Sequence, residues 1–430
     1  MHRLLLLCVV FPFLGSALAS AQNPESKPRI LGKIDENQLV TLKGNIHPAA
    51  IAKNDLGPVQ SNLAMNGLVL VLSRSPEQQA AFDEFVASQY DATSPNYHHW
   101  LLPAQVGEQF GPSLTDIATV SNWLSGHGLV VSQVSKDRMS IEFSGSAAQV
   151  ESTFHTEIHN LSVNGVRHIG NMSDPQIPTA LAPVVLGVKA LHNFTPRPLH
   201  RVGGTATLDS QSGRWQRIGL PQTRGAGTAS PDVKLRPNFG ITVGTGASAY
   251  QIEDVTPFDF AAIYNVQPLW NATTPINGTG QTIAIVGTSD INLTDVATFR
   301  STFGLPAGLT PINLTGVNGT PDPGICTAAT NSGALCTIED LTENSLDVEW
   351  SGAVAPGAQV VLVTAGQTAS NDPIYESASY VISQFGAASS PLQYVHILSI
   401  SYGECELAMG TANNALYNAM WEGAASSGIA

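Results

Sequence analysis

The sequence has 430 residues, of which 33 are acidic and 19 basic, so its formal net charge is −14 with neutral histidines. This balance argues against non-specific binding to nucleic acid, which depends on clustered lysine and arginine. Hydrophobic residues make up 43% of the chain, enough for a sizeable core, and this argues against general disorder.

The first 21 residues have the pattern of a secretory signal peptide. Arg3 is followed by the apolar run Leu4–Leu14 and by the small residues Ala19-Ser20-Ala21. The run is too short to span a bilayer, and no later stretch reaches that length. We therefore predict a secreted protein, extracellular or periplasmic, with no membrane contact once the signal is removed.

Residues 50–195 predict a compact α+β domain of the split βαβ, or ferredoxin-like, type. Ser113 is a candidate N-cap for a helix over Ser113–Gly126, and Asn164-Gly165 is a hairpin turn between two short strands. Further strands are predicted at Leu68–Leu72, Leu129–Val134 and Met139–Phe143, and helices at Ala80–Tyr90 and Ala147–Phe154.

Residues 196–250 are rich in Pro, Gly, Ser and Thr and show no sustained hydrophobic period. We predict an exposed linker that carries a processing site.

Residues 251–430 alternate apolar strands with helices, which predicts a parallel sheet covered on both faces. The predicted strands are Thr282–Val286, Gln359–Thr364 and Val395–Ser401, and the predicted helices are Leu293–Phe299, Glu339–Ala353, Ile374–Gln384 and Met409–Ser427.

Charge is distributed unevenly along the chain. From Gln251 onward there are 16 acidic residues and one cation, Arg300, whereas ten of the eleven histidines lie at or before His200. In acid the front of the chain gains charge while the back loses it. We expect this change to loosen the contact between the two parts.

Three cysteines remain after the signal peptide. Cys326 and Cys336 flank a short loop and could pair in an oxidising compartment, which would leave Cys405 unpaired. Three scattered cysteines do not predict a zinc site.

The residues that carry chemistry lie in the segment Glu343-Asn344-Ser345-Leu346-Asp347. Four residues apart on a helix, the two carboxylates share one face, and like charges that close hold a proton to a higher pH. Such a pair can act as a general base and its orienting partner. The alternative is a solvated acidic helix face, which is the usual meaning of this spacing.

Four blocks of sequence resemble one family in the order in which that family carries them. They are SPNYHHWLLPAQVGEQFGPS, then IYNVQPL with NGTGQTIAIVG, then ENSLDVEWSGAVAPGAQVVLV, and VHILSISYGECE. The first is similar to the pro-kumamolisin activation domain, and the others to the kumamolisin-like members of the sedolisin, or serine-carboxyl, peptidases.

The resemblance implies a subtilisin-like α/β fold behind a ferredoxin-like prodomain. It also implies that Glu343 is the general base of a Ser-Glu-Asp triad and that Asp347 orients it. The family's calcium is expected for the complete domain, with ligands beyond residue 430 and none in this chain. The family's SGTS-type nucleophile motif and its GDxG oxyanion motif do not occur in the 430 residues. Ser289 resembles the nucleophile of the SGTS motif, and Asp290 resembles a subtilisin aspartate, but the surrounding sequence does not support either role. His396 lies in a hydrophobic strand run and is not expected to be catalytic.

Two functions follow as hypotheses. The first is a secreted, acid-acting endopeptidase zymogen that ends before its nucleophile and is inactive in this form, with protein or peptide substrates. Its expected partner contact is intramolecular, between prodomain and catalytic domain, in a monomer that binds no nucleic acid. The second is a non-catalytic truncated paralogue that binds or inhibits an acid peptidase through its prodomain.

Overall fold

The computed structural model describes residues 26–189, 191–200, 255–329 and 334–430, together with the backbone alone of four short strands between 205 and 253. The predicted signal peptide and most of the predicted linker lie outside these residues. Within the described residues, no helix is long and apolar enough to cross a membrane.

The N-terminal unit, defined here as residues 26–189, contains nine strands and four α-helices in its described part. Its strands are β1 (Leu39–Thr41), β2 (Asp55–Pro58), β3 (Ala64–Leu72), β4 (Val130–Val134), β5 (Ser140–Ser146), β6 (Ile158–Val163), β7 (Val166–Asn171), β8 (Gln176–Pro178) and β9 (Val185–Lys189). Its helices are α1 (Pro76–Tyr90), α2 (Pro103–Phe110), α3 (Leu114–Gly126) and α4 (Ala147–Phe154).

The main sheet of this unit has the strand order β4-β5-β3-β9, and all its pairs are antiparallel. Counted along the chain, these four strands are second, third, first and fourth, with helices in two of the connections. This is the ferredoxin-like arrangement that the sequence predicted. The smaller sheets β2-β6-β7 and β1-β8 flank it.

Local sequence signals explain where several of these elements begin. Ser75 caps α1 and forms a capping box with Gln78, and Ser113 accepts a hydrogen bond from the Asp116 backbone at the start of α3. Asn164 takes a positive φ of 52° in the hairpin turn between β6 and β7.

The region between the two units contributes five short strands. They are β10 (Arg197–Pro198), β11 (Thr205–Asp209), β12 (Arg214–Ile218), β13 (Gly240–Val243) and β14 (Tyr250–Glu253). The pairs β11-β12 and β13-β14 are antiparallel ladders. Strand β10 pairs instead with a strand of the C-terminal unit.

The C-terminal unit, defined as the described residues from 255 onward, carries the parallel sheet. Its strands are β15 (Thr282–Gly287), β16 (Leu309–Asn313), β17 (Gln359–Thr364), β18 (Ile397–Ile400) and β19 (Tyr402–Gly403). Its helices are α5 (Pro257–Ile263), α6 (Gln267–Trp270), α7 (Leu293–Thr302), α8 (Ile338–Val354), α9 (Pro373–Ser383) and α10 (Glu406–Ser426, kinked at Gly410).

The sheet order is β16-β17-β15-β18, and every pair in it is parallel. Alternate residues of β15 face opposite layers. Ile283 and Ile285 pack with α7 and α8, whereas Ala284 and Val286 pack with α9 and α10. The predicted fold class, an α/β sheet covered on both faces and preceded by an α+β unit, is therefore confirmed.

One of the hydrophobic clusters contains residues of both units. Strand β3 turns Leu68, Leu70 and Leu72 towards the helices of its own unit, and Val69 and Val71 towards α9 and α10. The outer face of the N-terminal sheet is thus covered by the C-terminal unit.

A disulfide joins Cys326 to Cys336, with a Cα–Cα distance of 5.7 Å, and Cys405 is a free, exposed thiol. Helix α2 and strand β16 had not been predicted. Each is short, and β16 contains Pro311, which weakens a strand signal.

Candidate active site

Helix α8 presents the two predicted carboxylates. It begins at Thr337, whose backbone N–H and hydroxyl both donate hydrogen bonds to the Asp340 carboxylate. Thr288, at the end of β15, donates a hydrogen bond of 2.8 Å to the same Asp340 carboxylate. The first turn of the helix is therefore tied to the carboxyl edge of the parallel sheet, where ligands bind in open α/β folds.

Glu343 and Asp347 lie together on the inner face of α8. Glu343 is 4% exposed and Asp347 is half-buried, and the two side chains are hydrogen-bonded to each other. Burial raises the pKa of Asp347 to about 6, and the negative charge of Glu343 and the bond to it add to the rise, against a hydrogen bond from Ser401. Asp347 in this state holds a proton in mild acid.

A segment from before the C-terminal unit lies across this pair. His200 Nδ1 is 2.5 Å from Glu343 Oε2, and both side chains are nearly buried. Just ahead of it, β10 pairs antiparallel with β19, with Arg197 opposite Gly403 and Pro198 opposite Tyr402. A peptide that adds a strand to a sheet edge is a common mode of peptide recognition.

Asn344 fixes the orientation of α8 behind the pair. Its amide donates to the Ser289 carbonyl at 2.6 Å, and its oxygen accepts from the Tyr402 hydroxyl at 2.9 Å. The Asn344 side chain lies so close to the backbone of β15 that position 287 must be glycine. A Cβ there would lie 2.2 Å from the Asn344 amide atoms. The helix is thus held to both β15 and β19.

Ser289, Asp290 and His396, which the sequence did not favour as catalytic residues, make hydrogen bonds that stabilise the fold. Ser289 is fully buried and donates its hydroxyl hydrogen to the Asp290 carbonyl, so it is not presented as a nucleophile. Asp290 accepts hydrogen bonds from Thr364 and Asn313. His396 Nδ1 lies 2.9 Å from the Gly428 carbonyl oxygen at the end of α10.

In the described ranges, no group of three or more His, Cys, Asp or Glu side chains could hold a metal ion. Nothing in the geometry of the pair calls for one, and the calcium expectation remains a prediction about a complete domain.

Sequence reasoning missed His200, Asn344, Tyr402 and Ser401 as parts of this site. Tyr402 and Ser401 fall within the SISYG block, so that block pointed to their neighbourhood. His200 carried no local signal, because 143 residues separate it from Glu343.

Comparison with known proteins identifies the first unit. Residues 53–194 match the family model described as "Pro-kumamolisin, activation domain".

Three curated peptidases are similar over longer stretches. Xanthomonalisin of Xanthomonas sp. (strain T-22) is 26% identical over 56% of this chain and 24% of its own length. Sedolisin of Pseudomonas sp. (strain 101) is 25% identical over 37% of this chain and 28% of its own length. Kumamolisin of Bacillus sp. (strain MN-32) is 22% identical over 92% of this chain and 61% of its own length. The chain therefore spans less than two thirds of each of these relatives, and the resemblance drawn from the sequence blocks is confirmed.

Proposed function

Taking the chain as a member of the sedolisin family of peptidases, we propose that it is part of a secreted, acid-acting serine-carboxyl endopeptidase zymogen. The N-terminal unit is its prodomain, and α8 carries two of the three triad residues. The observation that carries this proposal is the buried, hydrogen-bonded pair of Glu343 and Asp347.

The pair suits base catalysis in acid. With its pKa raised to about 6, Asp347 is protonated in mild acid and can donate a hydrogen bond to Glu343. In this proposal Glu343 is the base that accepts the proton of a serine hydroxyl. An imidazole base would already be protonated under the same conditions.

In this proposal the segment from Arg197 to His200 is the autoinhibitory part of the zymogen. It adds a strand at β19, where a peptide substrate would lie, and its His200 occupies the open side of Glu343. Peptides cannot reach the pair until this segment moves or is cut.

Hydrolysis also needs a nucleophile and an oxyanion-stabilising group. The SGTS and GDxG motifs that supply them in the family are not among the 430 residues. We therefore expect the 430-residue chain by itself not to hydrolyse peptides, and we assign the activity and the family's calcium to a complete domain.

The test compares the 430-residue chain with the product of the same reading frame carried past codon 430. Only the longer product should cleave a denatured protein at acid pH, and Glu343→Gln should abolish that cleavage. Glu339→Gln is the matched control, since Glu339 lies on the same helix outside the pair. Retained cleavage in Glu343→Gln would refute the assignment. If no longer product exists and the chain inhibits an acid peptidase, the non-catalytic alternative is supported instead.

A further inference from the structure

A second buried acid pair lies between the two units, on the opposite side of the parallel sheet from α8. Glu142 is on β5, and Glu376 is on α9; both side chains are nearly buried. They line a cavity of about 360 Å³ between the N-terminal sheet and helices α9 and α10. Each unit therefore contributes one carboxyl group to the lining of the same cavity.

The strand pattern explains how Glu142 reaches this space. Residues of β5 alternate, so that Ile141 and Phe143 enter the core of their own unit while Ser140 and Glu142 face the C-terminal unit. The Ser140 hydroxyl lies 3.3 Å from the Tyr375 hydroxyl across the interface. Glu142 is consequently part of the contact between the units.

Lys189 is the cation that lies near both Asp372 and Glu376 at this contact. Lys189 of β9 forms an ion pair of 3.0 Å with Asp372 at the start of α9, and the Tyr417 hydroxyl of α10 donates to the same carboxylate. Lys189 is therefore already engaged by Asp372. Glu376 Oε1 is buried and has no hydrogen-bond partner among the described residues.

The other charged groups near Glu376 do not neutralise it. Lys136 and Asp137, in the turn before β5, line the same cavity, and the Lys136 ammonium donates to the Ser383 carbonyl. Tyr375 stays neutral because burial raises its pKa further above its ordinary value. His192 is buried nearby and stays neutral too, since burial lowers its pKa to about 3.

We propose that Glu142 and Glu376 form a proton-dependent lock between the two units, which stay docked while the pair holds a proton and separate more readily once it is lost. The inference does not depend on peptidase activity. Burial raises the pKa of Glu376 well above 4.5, and the charges of Glu142 and Asp372 add to the rise, against Lys189.

The sign follows from proton linkage. A carboxyl group whose pKa is higher in the docked state takes up a proton on docking, so docking is strongest below the ordinary pKa of glutamate and is lost as the pH rises through the raised pKa. Between those two values, the docking equilibrium constant falls by up to about tenfold per pH unit. This buried pair opposes the loosening in acid that we expect from the histidines.

Hydrogen exchange of the full chain, corrected for intrinsic rates, tests the proposal at pH 5, 6.5 and 8. We expect the ratio of the wild-type exchange rate in β3 and α9 to that of Glu376→Gln to rise at least tenfold between pH 5 and pH 8, because the histidines affect both proteins equally. Glu349→Gln is the matched control. Its pKa is also raised by burial, to about 7, but it faces Asp295 and Arg300 within the C-terminal unit. It should behave as the wild type.

A ratio that stays constant between pH 5 and pH 8 would overturn the proposal. If Glu376→Gln does not fold, Glu142→Gln removes the same repulsion from the other unit, and the ratio of wild-type exchange to exchange in Glu142→Gln should rise with pH in the same direction. The infrared spectrum of the wild type is an independent measurement. Asp347 and Glu349 contribute to the band of buried, protonated carboxylic acid at pH 6.5 in every variant that keeps them, because their pKa values are also raised. This band should therefore be weaker in Glu376→Gln than in the wild type, and equal bands in the two proteins would contradict the lock.

Discussion

Replacing His200 by leucine should open the segment that covers Glu343. The imidazole makes a short hydrogen bond to the Glu343 carboxylate, in a site where both side chains are at most about one tenth exposed. A hydrogen bond to a charged group contributes about 1.5–3 kcal/mol, which corresponds to about a 10- to 150-fold change in the equilibrium between closed and open segment.

Hydrogen-exchange mass spectrometry of peptides covering residues 195–200 measures this opening directly. We expect the exchange of these peptides to rise by that factor in His200→Leu, while β15 is unchanged. His200→Asn keeps a neutral donor near the position of Nδ1 and should fall between the two.

His99→Leu is the control, because His99 is an exposed histidine of the N-terminal unit. If His200→Leu exchanges at the wild-type rate, the backbone pairing of β10 with β19 holds the segment alone, and the contact with Glu343 does not hold it closed.

Two further substitutions test the site itself. In Asp347→Asn, stability to urea should lose the pH dependence that Asp347 gives the wild type. Because its pKa is raised from 3.8 to about 6 in the folded state, the stabilisation is present below 3.8 and is lost as the pH rises through 6. The shift of about two units sets an upper limit of about 3 kcal/mol, which partial exposure reduces to about 1–2 kcal/mol; identical profiles would contradict this. Gly287→Ala should destabilise the chain by about 1–3 kcal/mol in the same assay, because its methyl group would clash with Asn344. Gly126→Ala, at a helical position with open space, should be neutral or slightly stabilising, and equal effects at the two glycines would refute the packing argument.

Much of the fold could be predicted because its signals are local. Ser113 begins α3 and Asn164-Gly165 turns the hairpin, as their side chains and backbone preferences require. The spacing of Glu343 and Asp347 was also sufficient to place them on one helical face. In each case the residues that determine the structure lie within a few positions of one another.

The partners of these groups could not be predicted in the same way. The contact of His200 with Glu343 and the facing of Glu142 and Glu376 depend on how two units dock, and each joins residues more than 140 positions apart. Read alone, Glu376 is one more acidic residue in an acidic stretch. Its distinctive environment comes from a strand of the other unit.

The core that Val69 and Val71 share with α9 and α10 has a consequence for biosynthesis. The ribosome completes the N-terminal sheet before it has made the helices that will cover it, so those helices emerge next to a finished apolar surface. Cutting the chain near His200 would leave that surface buried, because severing the connection breaks no side-chain contact across it. Departure of the severed piece would instead expose both valines and the facing helices to water at once, and the two fragments should therefore co-purify after a single cut.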